Sequence, residues 1–278
     1  MQTMKPLVKW VGGKRRFIKD IDPYLKNYKR YIEPFAGSAA VFFHLNPQNA
    51  ILNDLNKDLV NFYKNVRDNP IQLLKSIENL FEVKTDVESY YLLRDEYNSL
   101  KGNSLRKSAI FFYLNKVAFN GIYRVNSRGI FNVPVGKHKT YYIPTESEFL
   151  EASELLKNTK LYSISYESIM DKVNNKDLVY LDPPYFPDET SKFVGYTDPA
   201  FGKEQHYHML TLCKNAFAKG ATIIISNSRS KEFAMALYKT FDSSFITAIQ
   251  IQTNRSINPN ANNKNRFVEM LYVIKKEQ

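Results

Sequence analysis

The chain has 278 residues, 44% of them hydrophobic and 24% charged, with a formal net charge of +11 and a pI of about 9.4. That length suits one large domain or two smaller ones, each able to bury a core. A basic balance of this size points to an anionic partner, nucleic acid first, and the single cysteine, Cys213, excludes an intramolecular disulfide. Met1 to Trp10 contains no apolar signal-peptide core, and no run approaches membrane-span length. The expectation is therefore a cytoplasmic protein with no membrane partner and no evident obligate protein partner.

In chain order, the first region runs to about Asn56. It holds a glycine-bearing basic loop, Trp10-Val11-Gly12-Gly13-Lys14, and a strand at Tyr31-Ile32-Glu33. Pro34-Phe35-Ala36-Gly37-Ser38 follows, then a helix from near Ser38 and a strand at Ala50-Ile51-Leu52, which together make a βαβ pattern. From Lys57 to Pro144 the chain reads as largely helical. Leu59, Phe62, Tyr63 and Val66 fall at helical spacing, as do Leu73, Leu74, Ile77, Leu80 and Phe81. A further helix is expected from Leu105 to Phe119, stopping at Asn120-Gly121. Arg124 to Asn132 is turn-rich and reads as a hairpin or an exposed loop. Strands then return at Lys160–Ile164, Leu178–Leu181 and Thr222–Ser226, with Phe245–Ile251 and Val268–Ile274 as a closing antiparallel hairpin. The expected organisation is an α/β domain built from residues 1–56 and 145–278, with a helical insert carrying a hairpin at 57–144.

Three constellations carry chemistry. The first is Asp182-Pro183-Pro184-Tyr185, after the apolar run Leu178–Leu181. Two prolines cannot donate to a ladder, so the strand must end there. An acid, a rigid carbonyl-bearing turn and an aromatic ring then stand at the edge where open α/β sheets bind ligands. Such a trio suits a planar ring bearing an amine. The ring stacks on Tyr185, and the amine donates to Asp182 and to the Pro183 carbonyl. The plain alternative is an ordinary strand-ending turn.

The second constellation is Lys101 to Pro144, which has eight basic residues, no Asp or Glu, and many aromatics. Cations neutralise phosphates, and exposed rings stack on or wedge between bases. Arg128, Lys137 and Lys139 suit phosphates, whereas Phe111 and Phe112 read as core. The third is the glycine turn at Gly37, followed after the next strand by Asn53-Asp54-Leu55-Asn56, the logic of a nucleotide-cofactor site. A plain βαβ unit gives the same pattern. No cluster has metal-ligand spacing, and His206 and His208, two apart, face different ways on a helix.

In order, these pieces resemble the Dam family (class D12, alpha type) of DNA adenine-N6 methyltransferases. The resemblance rests on Lys9 to Lys14, Tyr31 to Gly37, Asn53 to Asn56, Phe119 to Arg124 with Phe131-Asn132-Val133-Pro134, and Asp182 to Tyr185. It implies a Rossmann-like, S-adenosylmethionine-dependent α/β fold with an inserted target-recognition domain. S-adenosylmethionine, which yields S-adenosylhomocysteine, would be held by Trp10, Lys14, Phe35, Gly37, Asp54, Tyr166 and Asp182. Asp182, Pro183 and Tyr185 would be catalytic. Double-stranded DNA would be read at GATC, with the target adenine flipped out. Lys9 would face the first guanine, Ile122 and Pro134 the thymine methyls, and Arg124 the last base pair. Phe119 would fill the vacated space and Asn120 face the orphaned thymine. Asn126, Arg128, Asn132, Lys137, His138 and Lys139 would complete the DNA-facing set, and no metal would be needed.

This sequence departs from the family at three points. Ala39 stands where the glycine motif often has a second glycine, Phe119 replaces a common tyrosine, and His138 replaces a tyrosine of some relatives. Two other readings compete: a DNA-binding relative that has lost turnover, and a methyltransferase acting on RNA or protein. The intact Asp182-Pro183-Pro184-Tyr185, Asp54 and Gly37 argue against the first, and the hairpin around Arg124 against the second.

Overall fold

The computed structural model describes residues 4–12, 14, 18–82, 86–137, 140–187, 201–253 and 267–276. Seven strands form one sheet: β1 (Arg30–Glu33), β2 (Ala50–Asn53), β3 (Thr159–Tyr162), β4 (Asp177–Leu181), β5 (Thr222–Ser228), β6 (Ile246–Thr253) and β7 (Phe267–Ile274). The helices are α1 (Ile18–Ile21), α2 (Ala40–Leu45), α3 (Lys57–Asp68), α4 (Pro70–Glu82), α5 (Val87–Ser99), α6 (Leu105–Val117), α7 (Glu146–Leu156), α8 (Tyr166–Met170), α9 (Lys203–Ala218) and α10 (Lys231–Thr240). The strand order is β3-β2-β1-β4-β5-β7-β6. β1 pairs in parallel with β2 and β4, and β4 with β5, whereas β7 is antiparallel to both β5 and β6. This is the expected Rossmann-like α/β sheet, closed by the expected antiparallel hairpin. The order reverses between β1 and β4. In open sheets of this kind, ligands bind outside the carboxyl ends of the strands at that switch.

By internal contacts the chain divides into two units. The first comprises Met1–Ile18, Ala36–Gln48 and Asp54–Ser163; the second comprises Lys19–Phe35, Asn49–Asn53 and Ile164–Gln278.

In the first unit the core is aromatic. Phe62 of α3 packs on Phe111 and Phe112 of α6, with ring centroids 5.7 and 5.9 Å apart. α6 is buried on every side from Ser108 to Val117. The Asn56 side chain caps α3, accepting from the Asp58 and Leu59 amides at 3.0 Å. α6 ends at Val117, two residues before the expected Phe119. The Val117 carbonyl there accepts from Gly136, and Ala118 is extended. Two of the eight cations in the acid-free stretch are met by acids from outside it. Arg106 pairs with Glu96 at 2.7 Å, and Lys107 with Asp58 at 2.9 Å.

α6 also straps the N-terminal segment in place. Asn115 acts as a surrogate strand partner: its Oδ1 accepts from Lys9 N at 2.8 Å, and its Nδ2 donates to Lys9 O at 2.7 Å. Buried Lys116 donates to Leu7 O at 2.7 Å and lies over the Phe112 ring.

In the second unit, every residue of β4 is buried. At its amino end, Arg30 and Asp177 sit in register across β1 and β4, and their side chains form a forked pair at 2.6 and 3.2 Å. The strand expected to reach Ile164 stops at Tyr162 because Asn53 captures the Ile164 backbone. Asn53 Oδ1 accepts from Ile164 N, and its Nδ2 donates to Ile164 O, both at 3.0 Å. Cys213 is buried in α9, where burial pushes its thiol pKa up, in keeping with a packing role.

Burial, aided by the nearby Lys9 charge, lowers the Lys116 amine from 10.5 to about 8. Below pH 8 both folded and unfolded states carry the proton, and the folded state bears the full cost of the buried charge. That cost fades as pH rises from about 8 to about 10.5, because the folded amine loses its proton first. The stability of the native protein relative to Lys116→Met should therefore rise across this window, by on the order of 3 kcal/mol. Urea denaturation of both proteins at a series of pH values checks this; a difference that does not vary with pH contradicts it.

Candidate functional site

In the first unit, the chain turns at Gly37 (φ 49°), passes Ala39 (φ 52°) and enters α2. A Cβ on Gly37 would lie 2.7 Å from Trp10 Cδ1, so indole and backbone are in close contact. Ala39 takes the left-handed conformation without a glycine's freedom, at a cost of roughly 1 kcal/mol. Gly37 N donates to Asp54 Oδ2 at 3.0 Å, and Tyr63 Oη donates to Gly37 O at 2.8 Å. Asp54 Oδ1 accepts from Asn56 N at 2.9 Å. Burial raises the Asp54 pKa, while the two amide donors oppose that shift. The result is a sheltered carboxylate beside a glycine turn, with lone pairs to spare for hydroxyl donors such as those of a ribose. Lys14 is buried in the same unit.

The Trp10 ring stacks on Tyr123 at 5.9 Å and 21°. Tyr123 packs in turn on Phe111 and Phe131, and its hydroxyl lies 3.2 Å from that of Tyr97, which donates to Asp58 at 2.6 Å. This ring joins the Trp10 wall to the segment Ile122–Arg124.

That segment belongs to a hairpin whose pairing is sparse, with single bridges at Ala118–Val135 and Val125–Phe131. Asparagine side chains supply the rest of its order. Asn126 Oδ1 accepts from Arg128 N and Ile130 N, and Asn98 bonds both N and O of Phe131. Asn120 (φ 54°) and Gly121 (φ 64°) are successive left-handed residues. A Cβ at Gly121 would meet Lys9 Cδ at 2.8 Å and Asn115 O at 2.9 Å. The kink presents Phe119 at 45% exposure. Lys9, Asn120, Arg124, Asn126, Arg128, Pro134 and Lys137 are exposed, and Ile122 and Asn132 are partly buried. Arg124 Nε donates to Asn132 Oδ1 at 2.9 Å, which holds the guanidinium in place. His138 and Lys139 lie outside the described residues.

In the second unit, Phe35, Tyr166 and Phe201 form an aromatic cluster with centroids 5.4 to 5.6 Å apart. Asn53 Nδ2 donates to Pro34 O at 2.9 Å and so fixes the exit from β1. These faces suit a heteroaromatic ring. Asp182-Pro183-Pro184-Tyr185 follows β4 directly, at the carboxyl end beside β1.

Three elements pin successive residues of that turn. His206 of α9 lies with Nε2 3.0 Å from Pro184 O and Nδ1 2.8 Å from Gly202 O. Burial lowers its pKa, and a neutral imidazole donates to one of these carbonyls. Tyr185 Oη donates to Glu269 Oε1 of β7 at 2.6 Å, and Phe186 N donates to Asn227 Oδ1 of β5 at 2.9 Å. His208 is exposed. The sequence reading named Tyr123 only as part of the Phe119–Arg124 motif, missed Asn227 and Glu269, and weighed His206 only as a metal ligand. Glu269 did leave a signal, as an acid inside the otherwise apolar strand β7.

A family model described as D12 class N6 adenine-specific DNA methyltransferase matches residues 10–257. The chain is 38% identical over 249 residues to the type II methyltransferase M1.LlaDCHI of Lactococcus lactis subsp. cremoris, covering 86% of each protein. It is 34% identical over 258 residues to the type II methyltransferase M.MjaIII of Methanocaldococcus jannaschii, covering 86% of this chain and 89% of the relative. It is 30% identical over 277 residues to the DNA adenine methylase of Escherichia coli (strain K12), covering 99% and 97%.

The contact between Gly37 and Trp10 makes a prediction that does not depend on function. Gly37→Ala should destabilise the protein by about 2–3 kcal/mol, the sum of left-handed strain and overpacking. In a Trp10→Ala background only the strain, roughly 1 kcal/mol, should remain. A double-mutant cycle in urea measures the coupling; additive losses would mean that the ring does not oppose the new methyl group.

Proposed function

The chain belongs to the D12 class of N6 adenine-specific DNA methyltransferases, and on that premise we propose that it methylates the exocyclic amine of adenine in duplex GATC by flipping the base out. The observation that carries this reading is the braced Asp182-Pro183-Pro184-Tyr185 turn at the carboxyl end of β4, beside β1 where the sheet order reverses. The family's methyl donor, S-adenosylmethionine, supplies an electrophilic sulfonium methyl when bound.

The residues suit that donor by their chemistry. Asp54 is a carboxylate acceptor for ribose hydroxyls, and Phe35 and Tyr166 offer faces to a purine. Gly37 leaves the Trp10 ring against its backbone. The adenine amine is a weak nucleophile because its lone pair is delocalised into the ring. Acceptors out of the ring plane favour a pyramidal nitrogen and localise that pair. In this reading Asp182 and the Pro183 carbonyl do so as the transition state forms, and Tyr185 stacks on the extruded base. Phe119, presented at the left-handed kink, offsets part of the cost of flipping by filling the vacated stack. Arg124, already held by Asn132, reads the last base pair. Lys9, Ile122 and Pro134 read the others. The exposed cations Arg128 and Lys137 meet phosphates.

Asp182→Ala should lower the methyl-transfer rate by on the order of 10²–10³-fold, the scale of one preorganised electrostatic contact, with the fold intact. Single-turnover methylation and circular dichroism check this together, and a folded variant with near-native turnover would remove Asp182 from the chemistry.

Arginine reading guanine is the commonest specific major-groove contact. Arg124→Ala should cost about 1–3 kcal/mol on GATC and relax discrimination at the terminal pair, whereas Lys137→Ala should weaken all sites alike and reduce the salt slope by roughly one unit. Methylation rates on every single-base variant of GATC, at a fixed and stated salt concentration, separate the two. A uniform loss from Arg124→Ala would make that residue a phosphate contact.

A further inference from the structure

We infer that Glu269 is a positioning residue for methyl transfer, acting through the Tyr185 hydroxyl to fix the plane of the ring on which the target base stacks. The inference rests on the proposed role of Tyr185 and adds a residue from the far side of the sheet.

Glu269 is buried in β7, in register with Ser228 of β5 on one side and Ile251 of β6 on the other. Its neighbours in the strand, Val268 and the run Met270 to Ile274, are apolar. Nothing about a central strand calls for an acid there, and burying a carboxylate carries a desolvation cost that only good partners offset. A leucine or methionine would serve the sheet better. What the carboxylate supplies is an acceptor for Tyr185 Oη, at the 2.6 Å of a charge-assisted bond.

The mechanical effect follows from where the bond acts. The backbone after Tyr185 is already held at Phe186 by Asn227, and His206 Nε2 lies 3.0 Å from Pro184 O before it. Those contacts act on the backbone and not on the ring. A bond at the phenol tip, the point farthest from Cα, restrains the ring plane directly. A stacking surface must be held within about 10–20° to place a reacting atom productively.

The test is a double-mutant cycle of Glu269→Leu with Tyr185→Phe, read by single-turnover methylation of a GATC duplex and by fluorescence of 2-aminopurine at the target position. Each change breaks the same bond from one side while keeping apolar bulk. Each alone should slow transfer by about 10- to 100-fold, the scale of a small misplacement. The double variant should be no slower than either one. Target-site 2-aminopurine should show weaker or more heterogeneous stacking in both variants. Glu269→Gln, whose amide oxygen still accepts, should recover the rate to within a few-fold.

Losses that multiply in the double variant would overturn the inference, because Glu269 would then act independently of the hydroxyl. A Tyr185→Phe enzyme with native rate and native 2-aminopurine signal would overturn it too, and does not require Glu269→Leu to fold. Tyr185→Ala separates this inference from the reading beneath it. If that variant methylates normally, the stacking role itself fails. If it is impaired while Tyr185→Phe and Glu269→Leu are not, only the positioning role fails.

Discussion

The parallel pairing of β1 with β4 is the constraint on which the rest of the site depends. At the amino end of the pair, Arg30 and Asp177 lock the register with a forked ion pair between in-register residues. At the carboxyl end both strands run into proline, Pro34 after Glu33 and Pro183-Pro184 after Asp182. Proline cannot extend the ladder, and in open sheets ligands bind outside the carboxyl ends at such a reversal of strand order. The same pair of strands is thus fastened at one end and stopped at the other. The acid, carbonyl and ring of Asp182-Pro183-Pro184-Tyr185 stand at that end because β4 can go no further as a strand.

Away from the sheet, order is supplied by side chains that imitate backbone. Asn53 holds Ile164 and Pro34, Asn115 holds Lys9, Asn98 holds Phe131, Asn126 organises its own turn, and Asn227 holds Phe186. Asparagine carries both a donor and an acceptor in fixed geometry, so it can replace a strand partner where no strand fits. The hairpin around Arg124 stays defined with two isolated bridges for this reason. The hairpin can then present Phe119 at its base and Arg124 and Arg128 farther out without burying unsatisfied amides.

These two kinds of order explain what could be read in the sequence. β1, β2, β4, β5 and the closing hairpin were legible because burial and strand-ending residues leave a local pattern, and the glycine turn with Asp54 was legible as a spacing. The end of the strand before Ile164 was not, because Asn53, 111 positions away, decides it. Charge along the acid-free stretch could not show that two of its eight cations, Arg106 and Lys107, are paired by Glu96 and Asp58 from outside it. Helix periodicity said little about α6, which from Ser108 to Val117 is buried on every side. Tyr123 lay inside the Phe119–Arg124 motif, but its stacking on Trp10 was not legible, since no motif joins the two positions.

The brace on Tyr185 also has a consequence in time. Glu269 follows Tyr185 by 84 residues, and it reaches the turn only once β7 lies between β5 and β6. At ribosomal rates the interval is on the order of ten seconds. Throughout it, a nascent chain carries the Asp182-Pro183-Pro184-Tyr185 turn with the bond from Tyr185 to Glu269 still unmade. The Tyr185 ring of the growing polypeptide therefore gains its Glu269 partner only with the strand that fills the place between β5 and β6.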